Sequence, residues 1–395
     1  MHPNVPHLRF PEFHGEWEKC KLGDIAILTK GSGISKDQRS ATGTPCILYG
    51  ELYTTYKSEV IDYVVSKTDI SDKNLVRSCA NDIIIPSSGE TAIDISTARC
   101  VLSPDVLLGG DLNIIRLKDG DGRFFSYQLN GVRKYDIAKI AQGVSVVHLY
   151  GESIKGLTVS FPSNKEQQKI STLLSLIDER IATQSKLIEK LESLIKGINH
   201  RVFMNSGNNY KLGEICEIRS GYSGSQLLSK KGLKVSRIET ISGHKVNMER
   251  VGYVAPFESS ENYRLRVGDI LFSNINSVEY IGNTAFIDKD YDLYHGMNLL
   301  RLTPNHMVVI PFYLYLLLNT NRMLNRFKAV CNKAVSQASI NQTELGKAVV
   351  QIPPIKTQEQ ICELYQALYT KLETESHTKS LFQNQKQYML RQMFI

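Results

Sequence analysis

The 395-residue sequence is poor in features that mark disulfide-bonded, zinc-binding or membrane-spanning proteins. Its seven cysteines lie far apart, form no C-x-x-C pair and are odd in number, which argues against a disulfide framework and against a tetrahedral zinc site. The longest apolar run, residues 308–318, is too short to span a bilayer and contains Pro311. The N-terminus lacks the basic and apolar regions of a signal peptide. We therefore expect a soluble, cytoplasmic protein with reduced cysteines.

Sequence motifs of catalysis are also absent. There is no G-x-x-x-x-G-K-[ST] loop, no G-x-G-x-x-G after a strand, no H-E-x-x-H and no G-x-S-x-G. The Pro353-Pro354 pair lacks the acidic or amide residue and the aromatic residue that surround the proline pair of an adenine methyltransferase. The nine histidines are scattered, without carboxylates or cysteines at ligand spacing. We expect no catalysis, no metal site and no cofactor in this chain.

The chain repeats itself after about 190 residues. Residues 21–25 (KLGDI) return as residues 211–215 (KLGEI), and a proline followed by a glutamine-rich helix start returns in the same way. This period is far longer than the roughly 20–50 residues of a solenoid repeat. Each copy is therefore a whole module, a globular domain followed by a long helix. The predicted segments are a first domain (1–160), a central helix (161–206), a second domain (207–353) and a C-terminal helix (354–395).

Both long helices carry a stripe with coiled-coil spacing. In the first helix, apolar residues alternate at steps of four and three from Ile170 to Val202, interrupted by Gln184. A shift of 191 residues gives the stripe of the second helix, where Glu375, Lys379 and Lys386 are the polar members. We predict that the helices bury these stripes against each other as an antiparallel coiled coil. Parallel packing, and helices that pack only on their own domains, are the alternatives.

The same stripes supply the predicted contacts with partner subunits. These are the apolar positions Ile170, Leu174, Ile177, Ile181, Ile188, Leu191, Ile195 and Ile198 in the first helix, and Ile361, Leu368, Leu372 and Phe382 in the second.

The two globular copies combine short strands with helices. The recurring elements predicted in both copies are buried strands at 82–86 and 269–273, strands at 113–117 and 298–302, helices at 124–140 and 311–328, and polar loops at 142–145 and 333–337. The predicted fold class is α+β, with two tandem-duplicated domains that have mixed, mostly antiparallel sheets. The two long helices separate them, with a pseudo-two-fold axis relating the copies.

Several motifs resemble the specificity subunit of type I restriction-modification systems. They are residues 8–13 (LRFPEF), 15–18 (GEWE), 21–24 (KLGD), 161–162 (FP) and 166–170 (EQQKI). The resemblance extends over essentially the whole chain through its tandem plan. It implies two target-recognition domains, each of which reads one half of a bipartite DNA sequence. It also implies that the helices set the spacer and bind two methyltransferase subunits.

The resemblance assigns all chemistry to other chains. S-adenosylmethionine would belong to the methyltransferase subunits, and Mg and ATP to partner subunits that include the restriction and motor subunits. This chain would be the non-catalytic, DNA-binding member of the complex.

Charge and loop composition indicate where DNA could bind. The net charge is −1 for residues 1–160 and +5 for residues 207–354, so contacts with phosphates must be local or shared with partner subunits. Polar and cationic side chains on loops read base edges and grip phosphates. The predicted DNA contacts are Lys30, Ser32, Ser35, Lys36, Gln38, Arg39, Ser87, Ser88, Glu90 and Thr91 in the first copy, and Arg219, Ser220, Tyr222, Ser223, Ser225, Gln226, Lys230, Lys231, Arg237, Ser273, Asn274 and Asn276 in the second.

Other interpretations remain open at the level of sequence. Any one of these loop residues could be an ordinary solvated turn residue. The chain as a whole could be a coiled-coil scaffold whose end domains bind proteins, or an enzyme with an unrecognised site.

Overall fold

A computed structural model describes residues 4–71, 74–203, 207–333 and 337–395. The chain divides into two compact units, Met1–Leu187 with Glu375–Ile395, and Ile188–Thr374. Each unit contains one globular copy, one half of the first long helix and one half of the second.

The three strands shared by the main sheets follow one another in the same order along both copies, while the shorter strands differ. In the first copy the strands are β1 (Glu18–Lys21), β2 (Ala26–Lys30), β3 (Thr44–Ile47), β4 (Val60–Ile61), β5 (Ser66–Thr68), β6 (Asp82–Pro86), β7 (Ser88–Gly89), β8 (Arg99–Val101), β9 (Leu107–Leu108), β10 (Leu112–Leu117), β11 (Val147–His148) and β12 (Thr158–Phe161). In the second copy they are β13 (Asn208–Lys211), β14 (Cys216–Ser220), β15 (Leu233–Val235), β16 (Gly252–Val254), β17 (Ile270–Ser273), β18 (Ile275–Asn276), β19 (Thr284–Phe286), β20 (Leu299–Pro304), β21 (Asn332–Lys333), β22 (Ala338–Ser339) and β23 (Val349–Ile352).

The helices are mostly short, apart from two long ones. They are α1 (Leu22–Ile25), α2 (Glu51–Thr54), α3 (Ala92–Ile95), α4 (Gly122–Asn130), α5 (Lys134–Ile140), α6 (Gly151–Lys155), α7 (Asn164–Val202), α8 (Leu212–Ile215), α9 (Pro311–Leu318), α10 (Asn321–Val330), α11 (Gln342–Gly346) and α12 (Ile355–Gln392). Short 3-10 turns lie at Lys36–Gln38, Ile238–Ile241, Met248–Arg250 and Ser260–Tyr263. Within the described ranges, no helix is both long and apolar enough to cross a membrane.

The main sheet of each unit is built on the same three strands. In the first unit the strand order is β2-β10-β6-β8-β4, and in the second it is β14-β20-β17-β19. All neighbours in these two sheets are antiparallel except β4 and β8. The side chains of β6 are buried on both faces, which explains the unbroken apolar run Ile83–Ile85. The predicted α+β class with mostly antiparallel sheets is confirmed.

The helix that we predicted at the end of each domain is in fact two helices. In the first unit, α4 ends at Asn130 and Gly131, where the Gly131 amide donates back to the Tyr127 carbonyl. In the second unit, the Thr320 hydroxyl accepts the Met323 amide and starts α10 as an N-cap. The predictions of single helices at 124–140 and 311–328 were wrong, because a glycine and a capping threonine interrupt them. Residues 334–336 of the predicted loop 333–337 lie outside the described residues.

Each unit joins the two long helices in one core. In the first unit, Ile170 and Leu174 of α7 share a core with Leu390 of α12 and with Met393, which directly follows α12. In the second unit, Ile195 of α7 lies in one core with Ile361 and Tyr365 of α12, while the Tyr365 hydroxyl hydrogen-bonds to Asn199. In both units an early part of one helix meets a late part of the other, so the predicted antiparallel packing is confirmed.

Candidate nucleic-acid interface

A glycine at the same place in both copies sets the start of the first predicted DNA-binding loop. A Cβ atom on Gly31 would lie 1.9 Å from the Gly109 carbonyl oxygen, and one on Gly221 would lie 1.8 Å from that of Gly296. In each copy the residue after this glycine makes a backbone hydrogen bond to the facing segment. The Ser32 amide donates to the Leu108 carbonyl, and the Tyr222 amide donates to the His295 carbonyl. The loop therefore leaves the sheet in the same direction in both units.

The first-copy loop gathers polar side chains around an open cleft of about 960 Å³. Ser35 begins a 3-10 turn in which its amide donates to the Gln38 side-chain oxygen at 2.8 Å, leaving the Gln38 amide nitrogen exposed. Arg39 lies 3.5 Å from Glu51, a buried carboxylate that also accepts the Leu48 amide. Lys36 is exposed at the same cleft. The cleft thus offers cationic, amide and carboxylate groups together.

Two of the remaining first-loop predictions lie beside this cleft rather than in it. Lys30 is exposed at the end of β2. The Ser32 hydroxyl accepts the Val76 amide at 2.7 Å, which gives this side chain a structural partner.

The second predicted loop, residues 87–91, is more ordered than its composition indicates. Ser87 is buried, and Ser88 lies in β7, which pairs with β11. The Thr91 hydroxyl accepts the Asp94 amide and caps α3. Only Glu90 and Thr91 expose their side chains fully, so Ser87 is removed from the surface that could meet DNA.

In the second copy the loop after β14 is more exposed. Ser220, Ser223, Ser225, Gln226, Lys230 and Lys231 all lie in solvent. Arg219 is held by Glu217 on its own strand, and Arg237 lies 3.4 Å from Glu239. Tyr222 differs, because its ring stacks on Phe257 with a centroid separation of 3.9 Å. One face of this ring is therefore occupied inside the domain.

The residues predicted after β17 are largely engaged with the protein. Ser273 is buried within the strand and accepts the Asn276 side-chain amide at 3.1 Å. The Asn276 side-chain oxygen accepts the Ser277 amide. Asn274 is half-buried, and its side-chain oxygen has no hydrogen-bond partner. Asn274 is thus the member of this group with free hydrogen-bonding capacity.

A strand pairing that the sequence did not reveal supports the second loop in both units. β7 pairs with β11 in the first unit, and β18 pairs with β22 in the second. In the first unit the turn before β11 carries Val144, whose side chain is 97% exposed. The pairing joins strands about 60 residues apart in the sequence, so no local sequence pattern predicts it. The only available sequence signal was the apolar residue Val144 in a polar turn.

The predicted partner-binding stripes lie partly inside the units. Ile170, Leu174, Ile177, Ile195 and Ile361 are buried. The other members are half-buried: Ile181, Ile188, Leu191, Ile198, Leu368, Leu372 and Phe382. A partner subunit could reach the buried group only by displacing the packing that holds each unit together.

Three side chains of reactive types, Cys46, Cys216 and His295, are buried as structural residues. Burial raises the pKa of the Cys46 thiol to about 11 and that of Cys216 to about 12, so both remain protonated near neutral pH. Burial lowers the pKa of His295 to about 4, and its ring nitrogen lies 2.9 Å from the Leu299 carbonyl oxygen. In the part of the chain that the structure describes, no group of three or more His, Cys, Asp or Glu residues could hold a metal ion. The arrangement offers hydrogen bonds and charge, which suits recognition.

The sequence matches a family model twice, in step with the internal repeat. The model is that of the type I restriction modification DNA specificity domain, and it covers residues 14–193 and 206–381. The chain belongs to this family. It carries two copies of the DNA specificity domain, and the resemblance noted in the sequence is confirmed.

Relatives of the chain carry matching names. A Methanocaldococcus jannaschii protein named as the MjaX specificity subunit is 38% identical over 188 residues, which cover 47% of this chain and 44% of that protein. The type I restriction enzyme MjaVIII specificity subunit of the same organism is 22% identical over 422 residues, covering 96% of this chain and 94% of that protein. The EcoKI specificity subunit of Escherichia coli is 23% identical over 339 residues, covering 76% and 71%. The chain thus spans less than half of the MjaX relative and nearly all of MjaVIII.

Solved structures share the fold. The S subunit of a type I restriction-modification system from M. genitalium matches with a TM-score of 0.64 at 18% identity, covering 99% of both chains. A chain from a type I system whose assembly and conformational transition were studied matches with a TM-score of 0.58 at 16% identity, covering 98% of both chains. At these identities the likeness concerns the fold alone.

The close approach at Gly31 predicts a sharp difference between two neighbouring glycines. We expect Gly31→Ala to destabilise the protein by about 1–3 kcal/mol, because its methyl group would overlap backbone atoms that cannot rotate away. Gly33→Ala is the control, since nothing lies within 4 Å of a Cβ atom there, and we expect a change within about 0.5 kcal/mol. Denaturant unfolding measures both, and equal effects would contradict the geometry.

Proposed function

We propose that this chain selects the DNA target of a type I restriction-modification complex, with each domain reading one half of a bipartite sequence. The observation that carries the proposal is the double match to a DNA specificity domain on two units with the same sheet core. The frame is shared, β2-β10-β6 in one unit and β14-β20-β17 in the other, while the loop side chains differ. Two domains with the same sheet core and different loop side chains are suited to recognising two different DNA half-sites.

The first-domain cleft has the chemistry for direct base readout. The Gln38 amide can pair with adenine, and the Arg39 guanidinium can pair with guanine. Glu51 is buried and already accepts the Leu48 amide and the Ser66 hydroxyl, so its role is to hold Arg39. In the free chain, Arg39 and Glu51 hold each other at 3.5 Å. DNA would compete with Glu51 for Arg39. Arg39 would therefore leave Glu51 only for a base edge that accepts its hydrogen bonds instead.

The second domain would read its half-site with a longer exposed loop. Gln226, Lys230 and Lys231 follow Tyr222 in the sequence and are all exposed. Lysines at such positions suit phosphate contacts, which supply affinity without sequence preference. The net charge is +5 for residues 207–354 and −1 for residues 1–160. This supports a larger contribution of the second domain to non-specific DNA affinity.

Methylation and cleavage would belong to partner subunits that bring S-adenosylmethionine, Mg and ATP. We propose that the methyltransferase subunits dock on the outer surfaces of the long helices, and that these helices set the spacer between half-sites. The large apolar side chains exposed on α7 and α12 support this surface in place of the buried stripe; they are Leu176, Leu194, Leu364, Leu381 and Tyr388. Exposed apolar residues on otherwise polar helices commonly mark protein interfaces.

Independent reading by the two domains can be tested by domain exchange. Replacing residues 208–350 with the equivalent segment of a relative should change one half of the methylated motif, because only one loop set is exchanged. Sequencing of methylated bases across the host genome measures the motif. The unmodified host is the control, and a change in both halves together would contradict independent reading.

The outer-surface docking proposal predicts a selective effect at Leu176. This side chain is 54% exposed, so Leu176→Glu should leave the unfolding free energy within about 0.5 kcal/mol of the wild type. It should nevertheless reduce co-purification of methyltransferase subunits, since a charge would enter an apolar contact. Leu176→Met keeps the surface apolar and is the matched control. Full assembly of the Leu176→Glu protein would exclude this part of α7 from the interface.

A further inference from the structure

Three charged side chains meet in the interior of the first unit. Lys386 of α12 lies between Glu59 and Asp178, with its ammonium nitrogen 2.6 Å from the Asp178 carboxylate and hydrogen-bonded to the Glu59 carboxylate. The exposed fractions of the three side chains are 9%, 11% and 9%, respectively. Charges withdrawn from water to this degree require close partners.

Neighbouring side chains complete the hydrogen bonding of this charged cluster. Asp178 accepts the Tyr127 hydroxyl at 2.8 Å and the Ser58 hydroxyl at 3.0 Å. The Lys386 ammonium group also lies 5.5 Å from the centre of the Tyr127 ring, which favours a cation. Among the described residues, no other cation lies within salt-bridge distance of either carboxylate. The buried Arg99 acts on both carboxylates from a longer distance, so Lys386 is their direct salt-bridge partner.

In the second unit, the residues equivalent to Asp178 and Lys386 are uncharged. The offset of 191 residues places Tyr369 at the position of Asp178, and Ile195 at the position of Lys386. Ile195 is buried in the apolar core of the second unit, and Tyr369 packs against that core. The two copies, alike in frame, therefore differ in charge where the long helices meet.

A second difference occurs at the polar interruptions of the stripes. The Gln184 side-chain amide donates to the Glu375 carboxylate and, at 3.2 Å, to the Glu375 carbonyl oxygen. Gln184 and Glu375 are each other's equivalents under the same offset. When α7 pairs with α12, the Gln184 amide faces the Glu375 carboxylate. When two copies of α12 pair, two Glu375 carboxylates face each other.

We propose that the charged cluster selects α12 of the same chain as the partner of α7 in the first unit and excludes a second copy of α7. If two chains paired through their α7 helices, Ile195 would replace Lys386. Glu59 and Asp178 would then lose their salt-bridge partner, and the buried Arg99 would be the remaining cation near them. If two chains paired through their α12 helices, Lys386 would enter the apolar surroundings of Tyr369, and two Glu375 side chains would face each other. Buried polar groups that specify a partner in this way are known from coiled coils.

The test exchanges the selecting residues in the full-length chain. The triple variant Ile195→Lys, Lys386→Ile and Glu375→Gln moves the lysine from α12 to α7. In this variant, pairing of α7 with α12 leaves the buried acids without a lysine. Pairing of two α7 helices from different chains supplies one, and pairing of two α12 helices no longer places two carboxylates together. Light scattering during size exclusion should give the 44.5 kDa mass of one chain for the wild type and a multiple of it for the variant. A folded variant that remains a single chain, with the unfolding midpoint of the wild type, would overturn the proposal.

Unfolding measurements decide the case if the exchanged variant does not fold. Lys386→Ile alone should raise the unfolding equilibrium constant by at least about 100-fold, because it strands two buried carboxylates. Adding Glu59→Gln and Asp178→Asn should recover most of that loss, and Lys386→Arg should retain most of the wild-type stability. If Lys386→Ile is as stable as the wild type, or if neutralising the acids gives no recovery, the cluster does not select the helix.

Discussion

The apolar stripes of α7 and α12 are the constraint on which the rest of the structure depends. Neither helix can leave its stripe in water, and each unit packs part of both stripes into its own core. The first unit therefore needs the last residues of the chain as much as the first: Phe394 packs against Trp17 and Phe124. The core of each globular domain includes residues of both long helices. A mutation that destabilises the coiled coil should therefore also destabilise the sheets.

Periodicity alone predicted much of this architecture. The alternating steps of four and three placed Leu174 and Tyr365 in the stripe, and both side chains are fully buried. The apolar run Ile83–Ile85 predicted a buried strand, and the structure has one. These predictions succeeded because helix and strand periods are local properties of a sequence. The duplication added a second, independent instance of each pattern.

Predictions that depended on distant partners succeeded less well. Lys386 looked like a defect in an apolar stripe, because neither Glu59 nor Asp178 is near it in sequence. Ser87 and Ser273 belong to residue types common in exposed loops, yet strand pairing buries both. Tyr222 was a candidate for base contact, but its stacking on Phe257 depends on a loop 35 residues away. The cleft around Gln38 and Arg39 was anticipated only as a polar loop, since Glu51 enters it from another element.

We propose that the two domains read two half-sites at a fixed separation. This can be tested by mapping methylated adenines across the genome of the host, with the gene present and then deleted. We expect one motif that disappears with the gene and consists of two specific parts separated by a gap of constant length. A motif without a gap, or no motif that depends on the gene, would contradict it.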